Sequence, residues 1–222
     1  MERRKLFEIY SYIAPTLLFP SALWLWYTKT GKISTAFMIV MLPVIVSYIV
    51  PAIGTNYLKL WEFKTRFMAG KFRIQHGFLF GSASAIFALA VFDFSKGSLV
   101  LMAIKNGFVL GSVIALWNWI YDIYAIKSGT MAVYTKGYYL GKSEYEIAFD
   151  YAPVYFGVFG FIYGIAIESV LAAVAGAGGV VLVFVYLTMV ILALLLPTTA
   201  YMMFSIKRYG ENGLKSYRQE NN

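Results

Sequence analysis

Residues 180–206 read VVLVFVYLTMVILALLLPTTAYMMFSI, a run without a single charged side chain. A helix rises about 1.5 Å per residue, and about 20 apolar residues are enough to cross the hydrocarbon core of a bilayer. This run is therefore long enough to form a transmembrane helix. A soluble domain could not bury so long an apolar surface by itself, so the stretch predicts an integral membrane protein.

Five further apolar stretches of similar length precede this run. Together the six predict spans at residues 8–28, 35–58, 76–94, 98–126, 149–170 and 180–206. The fifth and sixth spans are separated at residues 175–179, because the glycine density there favours a turn. The predicted fold class is an all-α, polytopic membrane bundle of about six transmembrane helices, forming a single domain over residues 1–222.

The overall composition agrees with this interpretation. Hydrophobic residues make up 60% of the chain, charged residues 14%, and the mean hydropathy is +0.67. A soluble domain carries about 25% charged residues. Cysteine is absent and His76 is the only histidine, which excludes disulfides, iron–sulfur clusters, bis-histidine haem and Cys/His zinc sites. No cofactor is predicted, except Mg²⁺ under one hypothesis below.

The distribution of Lys and Arg predicts the orientation. If the N-terminus is cytoplasmic, fifteen of the 19 basic residues fall in inner segments, whereas Lys29, Lys32 and Lys96 fall in outer loops and Lys105 lies within a span. Cytoplasmic loops of membrane proteins carry such an excess. We therefore expect a multi-pass protein of the cell membrane with both termini in the cytoplasm. The net charge of +8 is explained by the basic residues of the cytoplasmic segments, and no nucleic-acid partner is expected.

The inner segment at residues 59–75 mixes aromatic residues with cations. Its basic residues include Lys64, Arg66, Lys71 and Arg73. This pattern predicts a helix that lies on a leaflet of anionic lipid headgroups. The segment is either a membrane-surface anchor or a phosphate-binding edge for the headgroup of a lipid or solute.

Three spans carry small residues at about every fourth position. In lipid such residues mark helix faces that pack closely. The stripes are Gly77, Gly81 and Ala85 in the third span, Gly107, Gly111 and Ala115 in the fourth, and Gly157, Gly160 and Gly164 in the fifth. These faces pack within the bundle, or they dock a second copy or a partner in a membrane complex.

Polar residues lie on the same faces. At about 100° per residue, Asn118 and Asp122 lie on the Gly111 face of the fourth span, and Asp150 and Glu168 lie at the two ends of the glycine stripe of the fifth. The fourth span runs inward and the fifth returns, so Asp122 and Asp150 are expected to pair near the cytoplasmic surface. Asp150 also suits a helix cap.

Three further residues are secondary candidates. Asp93 lies toward the outer end of the third span, as Glu168 does in the fifth. Lys105 lies inside the fourth span and either pairs with one of these acids or extends to the outer headgroups. His76 starts the third span and is either an interfacial polar residue or a proton-handling group.

Three functional hypotheses fit these residues. The first is a transporter or channel for a small solute, ion or proton, with Glu168 at the outer end and Asn118, Asp122 and Asp150 at the inner site. The second is an enzyme acting on a lipid or prenyl diphosphate, with Mg²⁺ held by Asp122 and Asp150 and the phosphates by the basic segment. The third is a subunit or assembly factor of a membrane complex. The sequence leaves the choice open.

Overall fold

The computed structural model describes residues 2–95, 97–176 and 178–218. The fold is all-α, with four very short strands. In chain order the elements are α1 Glu2–Thr30, α2 Ile33–Pro51, a π-helical turn Ala52–Tyr57, β1 Trp61–Phe63, β2 Met68–Ala69, β3 Phe72–Arg73, α3 His76–Val91, α4 Leu99–Lys127, β4 Met131–Val133, α5 Lys136–Tyr139, α6 Glu144–Phe149, α7 Ala152–Gly176 and α8 Gly179–Tyr209.

Six long helices lie where the six apolar stretches are. Within the described ranges, four helical segments are long and apolar enough to cross a membrane, namely Ile33–Tyr57, Leu99–Lys127, Glu144–Gly176 and Gly179–Tyr209. Helix α3 is apolar but has only 16 residues, and α1 is not one of the four. The protein is therefore a helical protein of the membrane type. The predicted break between the last two spans is confirmed, because α7 ends at Gly176 and α8 begins at Gly179.

The glycine stripes of α4 and α7 pack against each other. A Cβ atom added to Gly111 would lie 2.6 Å from the carbonyl oxygen of Gly157, and one added to Gly164 would lie 2.6 Å from the Cα atom of Gly107. The two backbones are thus in direct contact, as small residues allow in lipid. The packing predicted for these two faces is confirmed.

The stripe of α3 packs in the same way against α2. A Cβ atom at Gly81 would lie 2.5 Å from the Cα atom of Val44. Two long-range hydrogen bonds join further pairs of helices in the buried core. Trp26 Nε1 of α1 donates to the Ala85 carbonyl of α3 at 2.9 Å, and the Tyr163 hydroxyl of α7 donates to the Ile39 carbonyl of α2 at 3.0 Å. The six long helices therefore form one connected bundle.

The two long connections at residues 59–75 and 128–151 form a structure that we call the cap. The helix predicted for residues 59–75 is wrong: strand β1 pairs antiparallel with β4, and β2 pairs with β3 across a turn at Gly70. Gly70 has φ +67°, a conformation that suits glycine and would interrupt a helix. The aromatic residues of this segment therefore cover the end of the bundle as strands.

The start of α1 and the segment after α8 also reach the cap. Gln75 Nε2 donates to Ser11 Oγ at 3.2 Å. Residues 210–218, which we call the strap, cross the cap, where the Tyr217 amide donates to the Tyr134 carbonyl at 2.8 Å and Ser216 Oγ donates to the Lys59 carbonyl at 2.7 Å. The start of α1, the cap and the strap therefore share one end of the bundle.

Candidate functional site

A cavity of about 480 Å³ lies beneath the cap, with walls from α2, α4, α7 and α8. Successive side chains of a strand point to opposite faces. Trp61 and Phe63 of β1, together with Met131 and Val133 of the paired strand β4, therefore share the face that lines the cavity. Glu62 lies between them on the other face. The strand pair thus provides an apolar roof.

The cavity reaches the protein surface at its side. Its exposed lining residues are Ile49 of α2, Ile53 of the π-helical turn, and Leu195 and Thr199 of α8. These elements are neighbours in the bundle, so the opening lies between α2 and α8. A molecule entering there would come from the side of the bundle and not through the cap.

Asp122 and Tyr151 form a polar pair in the cavity wall. The Tyr151 hydroxyl donates to Asp122 Oδ2 at 2.8 Å, and Asp122 is buried. Lys127, just over one helical turn after Asp122, lies over the Tyr145 ring, with its Nζ 5.7 Å from the ring centre. The pair meets here because the glycine contact between α4 and α7 brings the last turns of α4 beside the start of α7.

Buried Arg73 is a cation that lies close to Asp122. The Arg73 guanidinium lies 4.2 Å from the centre of the Phe63 ring, donates to the Tyr121 hydroxyl at 3.0 Å, and is close enough to act electrostatically on Asp122. A buried charge requires such an opposite charge nearby. Arg73 itself does not line the cavity.

Three buried polar atoms of the lining lack a hydrogen-bond partner within the described part of the chain: His76 Nδ1, Thr135 Oγ1 and the Tyr155 hydroxyl. Tyr155 lies near Thr198 but makes no hydrogen bond of ordinary geometry with it. His76 and Thr135 are each 7% exposed. Most buried polar groups in proteins are hydrogen-bonded, and leaving one unsatisfied costs about 1–3 kcal/mol. These three atoms therefore leave hydrogen-bonding capacity unused in the lining of one cavity.

Asp150 has partners of its own. It lies directly after α6, where it forms an ion pair with Arg208 at 3.0 Å, lies 3.9 Å from Lys142 and accepts a hydrogen bond from the Tyr209 hydroxyl. Asp150 does not line the cavity that Asp122 lines. Because two cations already balance Asp150, the arrangement does not favour Mg²⁺ shared with Asp122.

Another polar cluster lies at the opposite end of the bundle. Asn106 Nδ2 donates to Glu168 at 2.7 Å and to the Asp93 carbonyl at 3.0 Å, while Lys105 pairs with the Asp93 carboxylate at 2.5 Å. The structure thus selects Asp93 among the partners considered for Lys105. Asn106 was missed from sequence, although it directly precedes Gly107 of the packed stripe.

The remaining candidates lie outside the cavity. Asn118 Nδ2 donates to the Ile114 carbonyl of its own helix at 2.8 Å. Lys64, Arg66 and Lys71 are exposed on the cap. Of the four cations considered for headgroup contact, Arg73 is the one that is buried beside the cavity wall.

The sequence reasoning missed Thr135, Tyr151 and Tyr155. Tyr151 directly follows Asp150, but its contact with Asp122 depends on how α4 and α7 pair. Thr135 follows β4 and carries no local signal. These residues could be found only from the assembled helices and the strand pair.

Comparison of the chain with protein-family models found no match, and comparisons with curated proteins and with solved structures found none either. The function is therefore interpreted from the geometry of the site.

Proposed function

We propose that all six long helices cross the bilayer and that the cap, the start of α1 and the strap face the cytoplasm. The cap, the strap and the start of α1 together carry 12 of the 19 Lys and Arg residues of the chain, as cytoplasmic segments do. Helix α3 is the shortest of the six, and Phe92 and Phe94, which follow it on either side of Asp93, add apolar surface beyond its end.

We further propose that the protein takes up an amphipathic molecule from the cytoplasmic leaflet. The observation that carries this proposal is the cavity that opens between α2 and α8. Under the proposed topology, the sides of these helices would face lipid there. The apolar part of the molecule would contact the roof and the apolar walls. Its polar end would reach His76, Thr135 and Asp122, which are buried. Pockets of this kind, apolar with a few convergent polar groups, are typical ligand sites.

The transport of such a molecule is the function that the geometry favours. An ion pathway along the glycine faces is less favoured, because α4 and α7 are in backbone contact between Asp122 and Glu168.

A second candidate is an enzyme that acts on the same molecule, since the Tyr151 hydroxyl and the Asp122 carboxylate can hold and pass a proton within the cavity. The two candidates differ in outcome: a transporter moves a lipid probe between leaflets unchanged, whereas an enzyme changes its mass.

Blocking the opening tests uptake. In Leu195→Trp the larger ring would fill the gap between α2 and α8, so we expect photolabelling by a diazirine-bearing hexadecanol in proteoliposomes to fall several-fold. Labelled peptides from the cavity walls would be quantified by mass spectrometry. Leu187→Trp is the matched control, because Leu187 is an exposed α8 residue that does not line the cavity. Equal labelling of both variants and the wild type would contradict uptake through this opening.

A further inference from the structure

We propose that the polar end of the molecule bound in the cavity is uncharged and carries a hydroxyl group. This inference rests on the proposed uptake of an amphiphile. It starts from the lining, which contains neither Lys nor Arg among the described residues that form it. A site for a phosphate or diphosphate needs cationic or backbone donors aimed at the anion.

The nearby cations are directed elsewhere. Arg73 lies over the Phe63 ring and donates to the Tyr121 hydroxyl. Lys71 is exposed and lies 3.5 Å from Glu62, which belongs to the face of β1 opposite the cavity. Arg73, the buried cation beside the wall, already acts on the Asp122 carboxylate. A phosphorylated head in the cavity would add negative charge beside that carboxylate without a cationic donor of its own, which is strongly unfavourable.

A cationic head is not favoured either. Asp122 is the one carboxylate among the described lining residues. It already accepts the Tyr151 hydroxyl, and Arg73 acts on it electrostatically. An ammonium group placed at Asp122 would lie close to the positive charge of Arg73 in a poorly solvated place, where like charges repel strongly.

The unsatisfied atoms specify the head that fits. Thr135 Oγ1 can donate or accept, and an imidazole nitrogen does one or the other according to its tautomer. A hydroxyl group both donates and accepts, so it can satisfy Thr135 Oγ1 or His76 Nδ1 whichever role that atom takes. The ligand class is therefore a long-chain alcohol, or an amphiphile whose buried end is a hydroxyl.

Competition between three ligands with the same chain tests this inference. Wild-type protein in nanodiscs would be labelled with the diazirine-bearing hexadecanol in the presence of hexadecanol, hexadecyl phosphate or hexadecylamine. We expect hexadecanol to reduce labelling at a concentration at least about tenfold lower than either charged ligand. Equal or stronger competition by the phosphate or the amine would overturn the uncharged-head assignment while leaving uptake intact. If no probe labels the cavity, uptake itself fails, and this inference fails with it.

Variants at Thr135 test whether its hydroxyl contacts the hydroxyl group of the ligand. Thr135→Val keeps the size but removes the hydroxyl, so we expect competition by hexadecanol to weaken several-fold. Thr135→Ser should restore it, which a merely structural role of the methyl group would not. Thr28→Val is the control, because Thr28 is exposed and bonds within its own helix at 2.8 Å. Unchanged competition in a folded Thr135→Val protein would remove Thr135 from the site.

Discussion

At the residue scale, the contact between α4 and α7 depends on the absence of side chains. Gly111 faces the Gly157 carbonyl so closely that even a methyl group would displace one helix. Gly157 itself is different, because a Cβ atom there would lie 3.7 Å from the Ala115 Cβ atom, an ordinary contact. Two glycines of one interface therefore have opposite tolerance for substitution.

This difference predicts the outcome of two alanine variants. Gly111→Ala should lower the free energy of unfolding by about 1–3 kcal/mol, the usual cost of overpacking. Gly157→Ala should be neutral or stabilising, since alanine is favoured over glycine in a helix by about 1 kcal/mol. Unfolding in mixed micelles, followed by circular dichroism, would measure both. Equal destabilisation by the two variants would contradict the close approach at Gly111.

The inward position of Asp122 and the packed glycine faces could be predicted at this scale, because both follow from the angle per residue of one helix. The partner of Asp122 could not, because Tyr151 is 29 positions away in sequence. The predicted pairing of Asp122 with Asp150 stays a prediction. In the structure each carboxylate has its own partners.

At the scale of elements, the strap is joined to the cap through Glu62. This buried carboxylate accepts the Tyr134 hydroxyl at 2.8 Å and pairs with Arg218 of the strap at 3.1 Å. Burial alone would raise the pKa of Glu62, but the hydrogen bond from Tyr134 and the charges of Arg218 and Lys71 outweigh it, so the pKa lies below its usual value of 4.5. The ionised form of Glu62 therefore stabilises the docked strap.

The sign of this shift predicts how docking depends on pH. A carboxylate with a lowered pKa in the folded state contributes stability that is present above the unfolded value, near 4.5, and lost as the pH falls through the folded pKa. A fluorophore on Asn212→Cys, the sole cysteine of that variant, should therefore gain rotational mobility as the pH falls below about 4.5. Fluorescence anisotropy would record the change.

Two variants complete this experiment. With Glu62→Gln the strap should be more mobile already at neutral pH, because Arg218 loses its anionic partner. Glu144→Gln, on α6 and outside the Glu62 cluster, should behave like the wild type. Anisotropy that stays constant in every variant from neutral to acidic pH would contradict a role for Glu62 in holding the strap.

The cap shows where local sequence reasoning ends. Cations interleaved with aromatic residues at 59–75 fit a surface helix and a short strand equally well. The choice is made by pairing with β4, where Trp61 lies opposite Val133, far away in sequence. The six long helices could be predicted because each is a local apolar run, whereas the strands, and the cavity roof that they form, are non-local.

At the scale of the whole molecule, the proposed topology predicts which positions face outward. The natural chain has no cysteine. A single introduced cysteine is therefore the sole thiol of the protein that a maleimide can label. Cysteines replacing Lys32, Ser98 or Gly178 should react in intact cells with a membrane-impermeant maleimide. Those replacing Ala69, Tyr139 or Asn212 should react only after lysis. A reversed result at any one of the six positions would contradict the six-span arrangement.

The position of α8 also has a consequence for how the protein is made. The wall that closes the cavity on one side consists of Leu194, Leu195 and Thr198 of α8, and Leu214 of the strap follows it. These residues leave the ribosome after α2, α4 and α7 have done so. Under the proposed topology, Asp122 and Tyr151 would therefore border an open groove until α8 has been synthesised. The order of the helices along the chain therefore predicts that this polar pair is enclosed last, when α8 and the strap close the cavity.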